Sequence, residues 1–241
     1  MPITLQKMFD HAKLNYKVSQ STFPGISLDS HLNIIITSKN RDFASSRPKQ
    51  KGDTTETEKT LLLKKWDHII LQEGTVRLLI PEVKNLQVIP AIINIKKLSN
   101  YNNTSFILFK TWPGLDTFPK QYCYPSGVVS PIITKLKCCS PLINSLDEEA
   151  KFINNAYDTV AKATNMKTVP ITNCYLEILK SHPNINLYDD DQHPSMLGAY
   201  LNACVFFKYF TKKKATSIKY HAGLDEVKIR IIQNVVDKNY P

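Results

Sequence analysis

The chain has 241 residues, 42% of them hydrophobic and 22% charged, with a formal charge of +10. These values exclude wholesale disorder and leave enough chain for a single α/β domain spanning residues 1–241. The charge comes from 27 lysines and only 4 arginines; because nucleic-acid readers favour the arginine fork, lysine-rich coding bias is the simpler reading and no nucleic-acid partner is expected.

In chain order, Pro2 to Phe9 reads as a helix, with Leu5, Met8, Phe9 and Ala12 on one face and proline in the first turn. Tyr16 to Ser21 alternates as a strand that ends at Thr22-Phe23-Pro24-Gly25, and Leu28 to Ile36 reads as a short helix. Residues 39–60 are polar and read as a surface connection. His68-Ile69-Ile70-Leu71 is the clearest strand and runs into Gln72-Glu73-Gly74. Val83 to Leu98 reads as a helix in spite of Pro90. Ser105 to Phe109 is a further strand, closed by Thr111-Trp112-Pro113. Residues 114–141, rich in proline and short polar residues, read as a long loop or lid. A helix is expected over Asp147–Thr164, a short strand over Thr168–Ile171, and helices over Ser195–Phe210 and Leu224–Asp237, with Ser195 as an N-cap.

Short apolar strands alternating with longer helices imply a three-layer α/β/α fold with a mostly parallel sheet. In such sheets ligands sit beyond the carboxyl ends of the strands. Gly25, Gln72-Glu73 and Thr111-Trp112 all fall at those ends.

Five cysteines, with no C-x-x-C pair, suggest neither a zinc site nor an obvious disulfide framework. Cys138 and Cys139 are vicinal and read as plain structural thiols. No secretory leader is read at Met1, no apolar run reaches the length of a membrane span, and the chain as it stands is expected in the cytoplasm.

The segment richest in chemistry is Asn186-Leu187-Tyr188-Asp189-Asp190-Asp191-Gln192-His193-Pro194-Ser195. Asp190 and His193 form D-x-x-H just before a helix, a spacing that lets a carboxylate orient an imidazole whose other nitrogen acts as base. Two further readings stay open on spacing alone: a capping histidine beside a solvated acidic turn, and a metal site made from Asp189, Asp190, Asp191 and His193.

With Gly198, Tyr200-Leu201 and Ala203, this segment resembles the last motif block of the SGNH (GDSL-like) hydrolases, in the bacterial branch with an N-L-Y-x-x-D-x-x-H-P-S ending. Trp66 to Glu73 is similar to that branch's third block, and Ser21 to Gly25 with Leu28 and His31 to its second. Thr111-Trp112-Pro113 after a strand also fits. The resemblance implies a flavodoxin-like sheet and acyl-ester hydrolysis, with carbohydrate O-acyl esters or other small-molecule esters as substrates and no cofactor or metal. It implies His193 as general base, Asp190 as its orienting partner, and the Gly25 N–H with the Gln72 side chain as oxyanion donors, each such donor contributing ~3 kcal/mol to lowering the barrier. On its own, Gln72 also reads, as the lesser alternative, as a strand-end residue that satisfies loop backbone. Glu73 is either a partner behind the site or a buried acid.

The family's first block, a strand followed by the nucleophilic serine, has no counterpart here. The expected fold therefore lacks its first strand, and the nucleophile is none of the residues present. Gly25-Ile26-Ser27-Leu28-Asp29 fails as a G-x-S-x-G elbow at its last position, and Ser126 and Cys123 are poor replacements. The alternative to an ester hydrolase is a catalytically dead binding module on the same fold.

Overall fold

A computed structural model describes residues 1–37, 45–99, 103–115 and 117–240. Its centre is a parallel sheet of three strands, with Ser105–Leu108 between His68–Leu71 and Lys167–Thr168. Ser105–Leu108 is buried on both faces, and its side chains alternate between two apolar clusters. Ile107 points into one, with the helices Pro2–His11, Ile171–Ser181, Met196–Thr211 and Glu226–Asn239. Phe106 and Leu108 point into the other, with Leu78 to Ile95 and helix Leu146–Thr164. A period of two places successive residues on opposite faces of a sheet, so this alternation makes the three layers. The α/β architecture expected from the sequence is the one observed.

Helix Leu146–Thr164 is capped by Ser145, whose hydroxyl accepts from Glu148 N, and it carries Asp147, Glu148 and Glu149 in its first turn. Helix Met196–Thr211 starts at Ser195 as expected. The stretch around Pro90 is also helical, but Lys84–Val88 ahead of it is π-helical. Proline lacks the N–H for its i−4 partner, and a widened turn accommodates that loss.

Several expectations need correction. The expected strand Thr168–Ile171 holds only at Thr168, since Ile171 opens helix Ile171–Ser181. Residues 16–21 pair with no strand among the described residues. Gln6 holds this stretch instead: its side chain donates to Tyr16 O and accepts from Val18 N. Alternation alone cannot make a strand without a neighbour to bond to.

Leu28–Ile36 is helical only over Ser30–Asn33. Ile34–Ile36 is a strand antiparallel to Ser46–Pro48, in keeping with the β preference of three successive isoleucines. The 39–60 connection, of which residues 38–44 lie outside the described part, holds that second strand and the start of helix Glu56–Leu62. A Thr55/Glu58 capping box opens this helix.

The 114–141 stretch, with residue 116 outside the described part, is also ordered. It contains the hairpin Cys123–Pro125/Lys137–Cys139, the one-turn helix Ser126–Val129, and a Cys123–Cys139 disulfide. Cys139 is therefore not a plain thiol. Its hairpin register sets it directly opposite Cys123, a pairing across sixteen positions that spacing could not reveal. Cys138 is the free, buried member of the vicinal pair.

Candidate active site

The 186–195 loop is a narrow turn closed on itself. Asp189 N donates to His193 O at 2.9 Å and Ser195 N to Leu187 O at 2.9 Å, with Tyr188 bridged to Pro194. At its tip, Asp190 Oδ1 accepts from the backbone N–H of His193 (2.6 Å) and of Gln192 (2.7 Å). Asp190 Oδ2 lies 2.7 Å from His193 Nδ1. The His193 N–H first, then that of Gln192 and the ring, hold the Asp190 carboxyl down at about 2. An ionised carboxylate only accepts, so Nδ1 carries the hydrogen and Nε2 is left as the basic nitrogen. Both side chains face solvent, 80% exposed for His193 and 57% for Asp190.

Neighbouring elements hold this turn in place. Trp112 Nε1 donates to Gln192 O at 2.8 Å, Leu115 N to Asp191 O at 2.9 Å, and the Tyr188 hydroxyl to Pro113 O at 2.5 Å. The Trp112 ring stacks on Tyr175 at 4.9 Å, and Tyr175 meets Tyr188 edge-on at 5.7 Å. Behind the turn, a Cβ on Gly198 would lie 2.3 Å from Leu187 O and 2.6 Å from the Tyr175 hydroxyl. Only glycine lets the helix start this close to the turn. Ser195 Oγ donates to Asn186 O and accepts from Gly198 N. It is a helix cap, as its position suggested.

The second group of expected residues lies at the end of strand His68–Leu71. Gln72 is exposed there, and Gly25 is an exposed turn residue at φ +71°, with open space around its would-be Cβ. Its backbone angle is what calls for glycine. Glu73 joins the two loops: its buried carboxylate accepts from Leu28 N at 3.1 Å and Gly74 N at 2.9 Å, with Arg77 Nε at 3.4 Å. Burial pushes this carboxyl up. Of the two roles open to Glu73, the structure gives it that of a buried acid tying the Gly25–Leu28 loop to the strand end.

Asp190 and His193 are thus in direct contact. Gly25 and Gln72 stand on loops joined through Glu73, and no hydrogen bond links either to the dyad among the described residues. An indirect path does connect the two groups. From Glu73 the chain passes through Gly74 to Thr75, whose hydroxyl donates to Thr111 Oγ1 at 2.7 Å, and the next residue, Trp112, donates to Gln192 O. Thr75 was not singled out in the sequence, and Thr111 and Tyr188 were noted there only as members of their motifs, not for these bonds. Their hydroxyls meet partners 36 to 75 positions away, and no local pattern marks them.

Among the described residues, no hydrogen bond links His31 to the dyad either. Its Nδ1 lies 2.7 Å from Thr57 Oγ1, which contacts Ser21 Oγ at 2.8 Å, and burial lowers the ring to about 4. Among the described residues, no three His, Cys, Asp or Glu side chains come together as a metal site, so Asp189, Asp190, Asp191 and His193 do not form one.

The fold is shared with known structures. A DUF4886 family protein from Bacteroides uniformis superposes with a TM-score of 0.71 at 17% identity, covering 97% of this chain and 86% of that one. A candidate SGNH hydrolase from Slackia heliotrinireducens superposes with a TM-score of 0.52 at 16% identity, covering 87% and 90%. The chain has the SGNH hydrolase-like fold. At these identities the likeness is one of architecture: the Gln72 loop follows the end of strand His68–Leu71, and the 186–195 turn lies between helices Ile171–Ser181 and Met196–Thr211. No family model matches the sequence, and no curated protein does.

Proposed function

We propose that this chain is the scaffold of an SGNH-type ester hydrolase, with His193 as general base and Asp190 as its orienting partner. The observation that carries the reading is the 2.7 Å contact between Asp190 Oδ2 and His193 Nδ1, which fixes the tautomer with Nε2 free to take a proton. In the proposed cycle a serine hydroxyl attacks the ester carbonyl and passes its proton to His193 Nε2. The alcohol leaves with that proton, and His193 then deprotonates the water that releases the acid. The Gly25 N–H and the Gln72 side chain receive the oxyanion. Carbohydrate O-acyl esters are the substrate class that the motif resemblance favours.

The serine is proposed to reside on a strand preceding Met1. Strand His68–Leu71 pairs only with Ser105–Leu108 among the described residues, so its other edge is open. Tyr16 and His68, the first residue of that strand, both approach the Phe210 ring, at 6.1 and 4.9 Å. A strand inserted there would satisfy the exposed ladder and carry a serine to the same end of the sheet as Gln72.

The test is to extend the chain with the in-frame codons upstream of Met1 and treat it with a fluorophosphonate. Labelling of a serine within the extension, accompanied by hydrolysis of a short-chain aryl ester, is the expected result. A stop codon adjoining Met1, with no labelling of the 241-residue chain, contradicts the enzyme and favours a binding module on the same scaffold.

A further inference from the structure

The hairpin lobe carries an apolar surface that the ester-hydrolase reading does not use. Three of the most exposed apolar side chains among the described residues fall within its tip, residues 126–137: Leu136 at 91%, Ile132 at 79% and Val128 at 66%. Isolated exposed apolar residues are ordinary, whereas three within one short loop concentrate apolar exposure in one place. The tip is not loose chain. The Cys123–Cys139 disulfide and the antiparallel register through Pro125↔Lys137 close its base. Gln87 Nε2 donates to both Val128 O (3.0 Å) and Val129 O (2.9 Å), and Val129 and Cys138 are buried beneath. The backbone is therefore pinned with Val129 inward and Val128 outward.

Charge identifies the occupant. Lys135 and Lys137 flank Leu136 on either side, and Lys135 also pairs with Glu82 at the base of the lobe. A second copy docking face to face would bring the same lysines together, on chains that each carry +10. A sheet of anionic headgroups offers the opposite sign beside an apolar layer, which is the environment that alternating leucine and lysine suit. No described helix is long and apolar enough to cross a membrane, so the contact would lie on the surface.

We infer that the 126–137 tip is an interfacial anchor that seats this protein reversibly on anionic lipid surfaces, with Val128, Ile132 and Leu136 entering the headgroup boundary and Lys137 meeting phosphate. The pinned backbone presents these side chains at little ordering cost.

The experiment is co-sedimentation of the 241-residue protein with vesicles of phosphatidylglycerol and phosphatidylcholine, and with vesicles of phosphatidylcholine alone. Binding to the anionic vesicles alone, weakening as salt is raised and by about tenfold or more in the Ile132→Ser/Leu136→Ser variant, is the expected result. A Leu136→Trp variant gives a readout that does not depend on loss: its added emission should shift to the blue only with anionic vesicles. Binding to neither vesicle, or equal binding to both, overturns the inference. So does a self-association that Leu136→Ser abolishes in the absence of any vesicle binding.

Discussion

The two loops proposed to share the chemistry are built in opposite ways. The 186–195 turn is fixed by local bonds across its own neck and tip, and then by Trp112, Leu115 and Tyr188. The Gly25–Leu28 loop instead depends on one buried carboxylate, Glu73, reaching 45 positions along the chain to Leu28 N. The first can keep its geometry when a single outside contact is lost, whereas the second is bonded to the strand end through Glu73 alone among the described residues, with Ser27, Ser30 and the buried Leu28 side chain holding it locally. A general base needs its ring held in one tautomer; the Asp190 Oδ2 contact does this, and the redundant bonding of the turn keeps Asp190 in place.

The largest effect on stability expected of a single substitution is at the back of the rigid turn. Gly198→Ala places a methyl against Leu187 O and the Tyr175 hydroxyl, and should cost about 3 kcal/mol in urea unfolding. Glu73→Ala strips Leu28 N and Gly74 N of a charged acceptor. It should cost about 2 kcal/mol and abolish hydrogen-exchange protection at Leu28, while the His193 amide remains protected. Equal loss of protection in both loops would erase the contrast between them. Trp112→Phe removes one of several supports of the dyad turn and should cost about 1 kcal/mol. Ser195→Ala should cost about as much through the lost cap.

The smallest effect is one of pH. The folded Asp190 carboxyl is held at about 2, below its ordinary value of 3.8. Its contribution to stability is therefore present above about 4 and lost as pH falls through 2. Stability curves of the protein and of Asp190→Asn should converge in that window, and curves that stay parallel down to pH 2 would deny Asp190 its bonds.

What could be read from the sequence follows the same division between local and distant contacts. Asp190 and His193 are three positions apart and bond within one turn, so their pairing was legible from spacing. Strands His68–Leu71 and Ser105–Leu108 announced themselves as short apolar runs, and Ser195 as a cap. Residues 16–21 show the limit of a periodic pattern, because alternation says which side chains share a face but not whether a neighbour exists to complete the ladder. The Ile34–Ile36/Ser46–Pro48 pairing, the Cys123–Cys139 bond and the reach of Glu73 to Leu28 are contacts between distant positions, and their partners carry no mutual signal. The Thr55/Glu58 capping box was local and could have been found from its T-x-x-E pattern.

The central claim is that His193, oriented by Asp190, is the base of an ester hydrolase. Its most direct measurement is the turnover of a short-chain aryl ester by the upstream-extended protein beside the same protein carrying His193→Ala. The account predicts a fall of about 10³-fold in kcat with the fold unchanged by circular dichroism. Turnover that survives the substitution would contradict it.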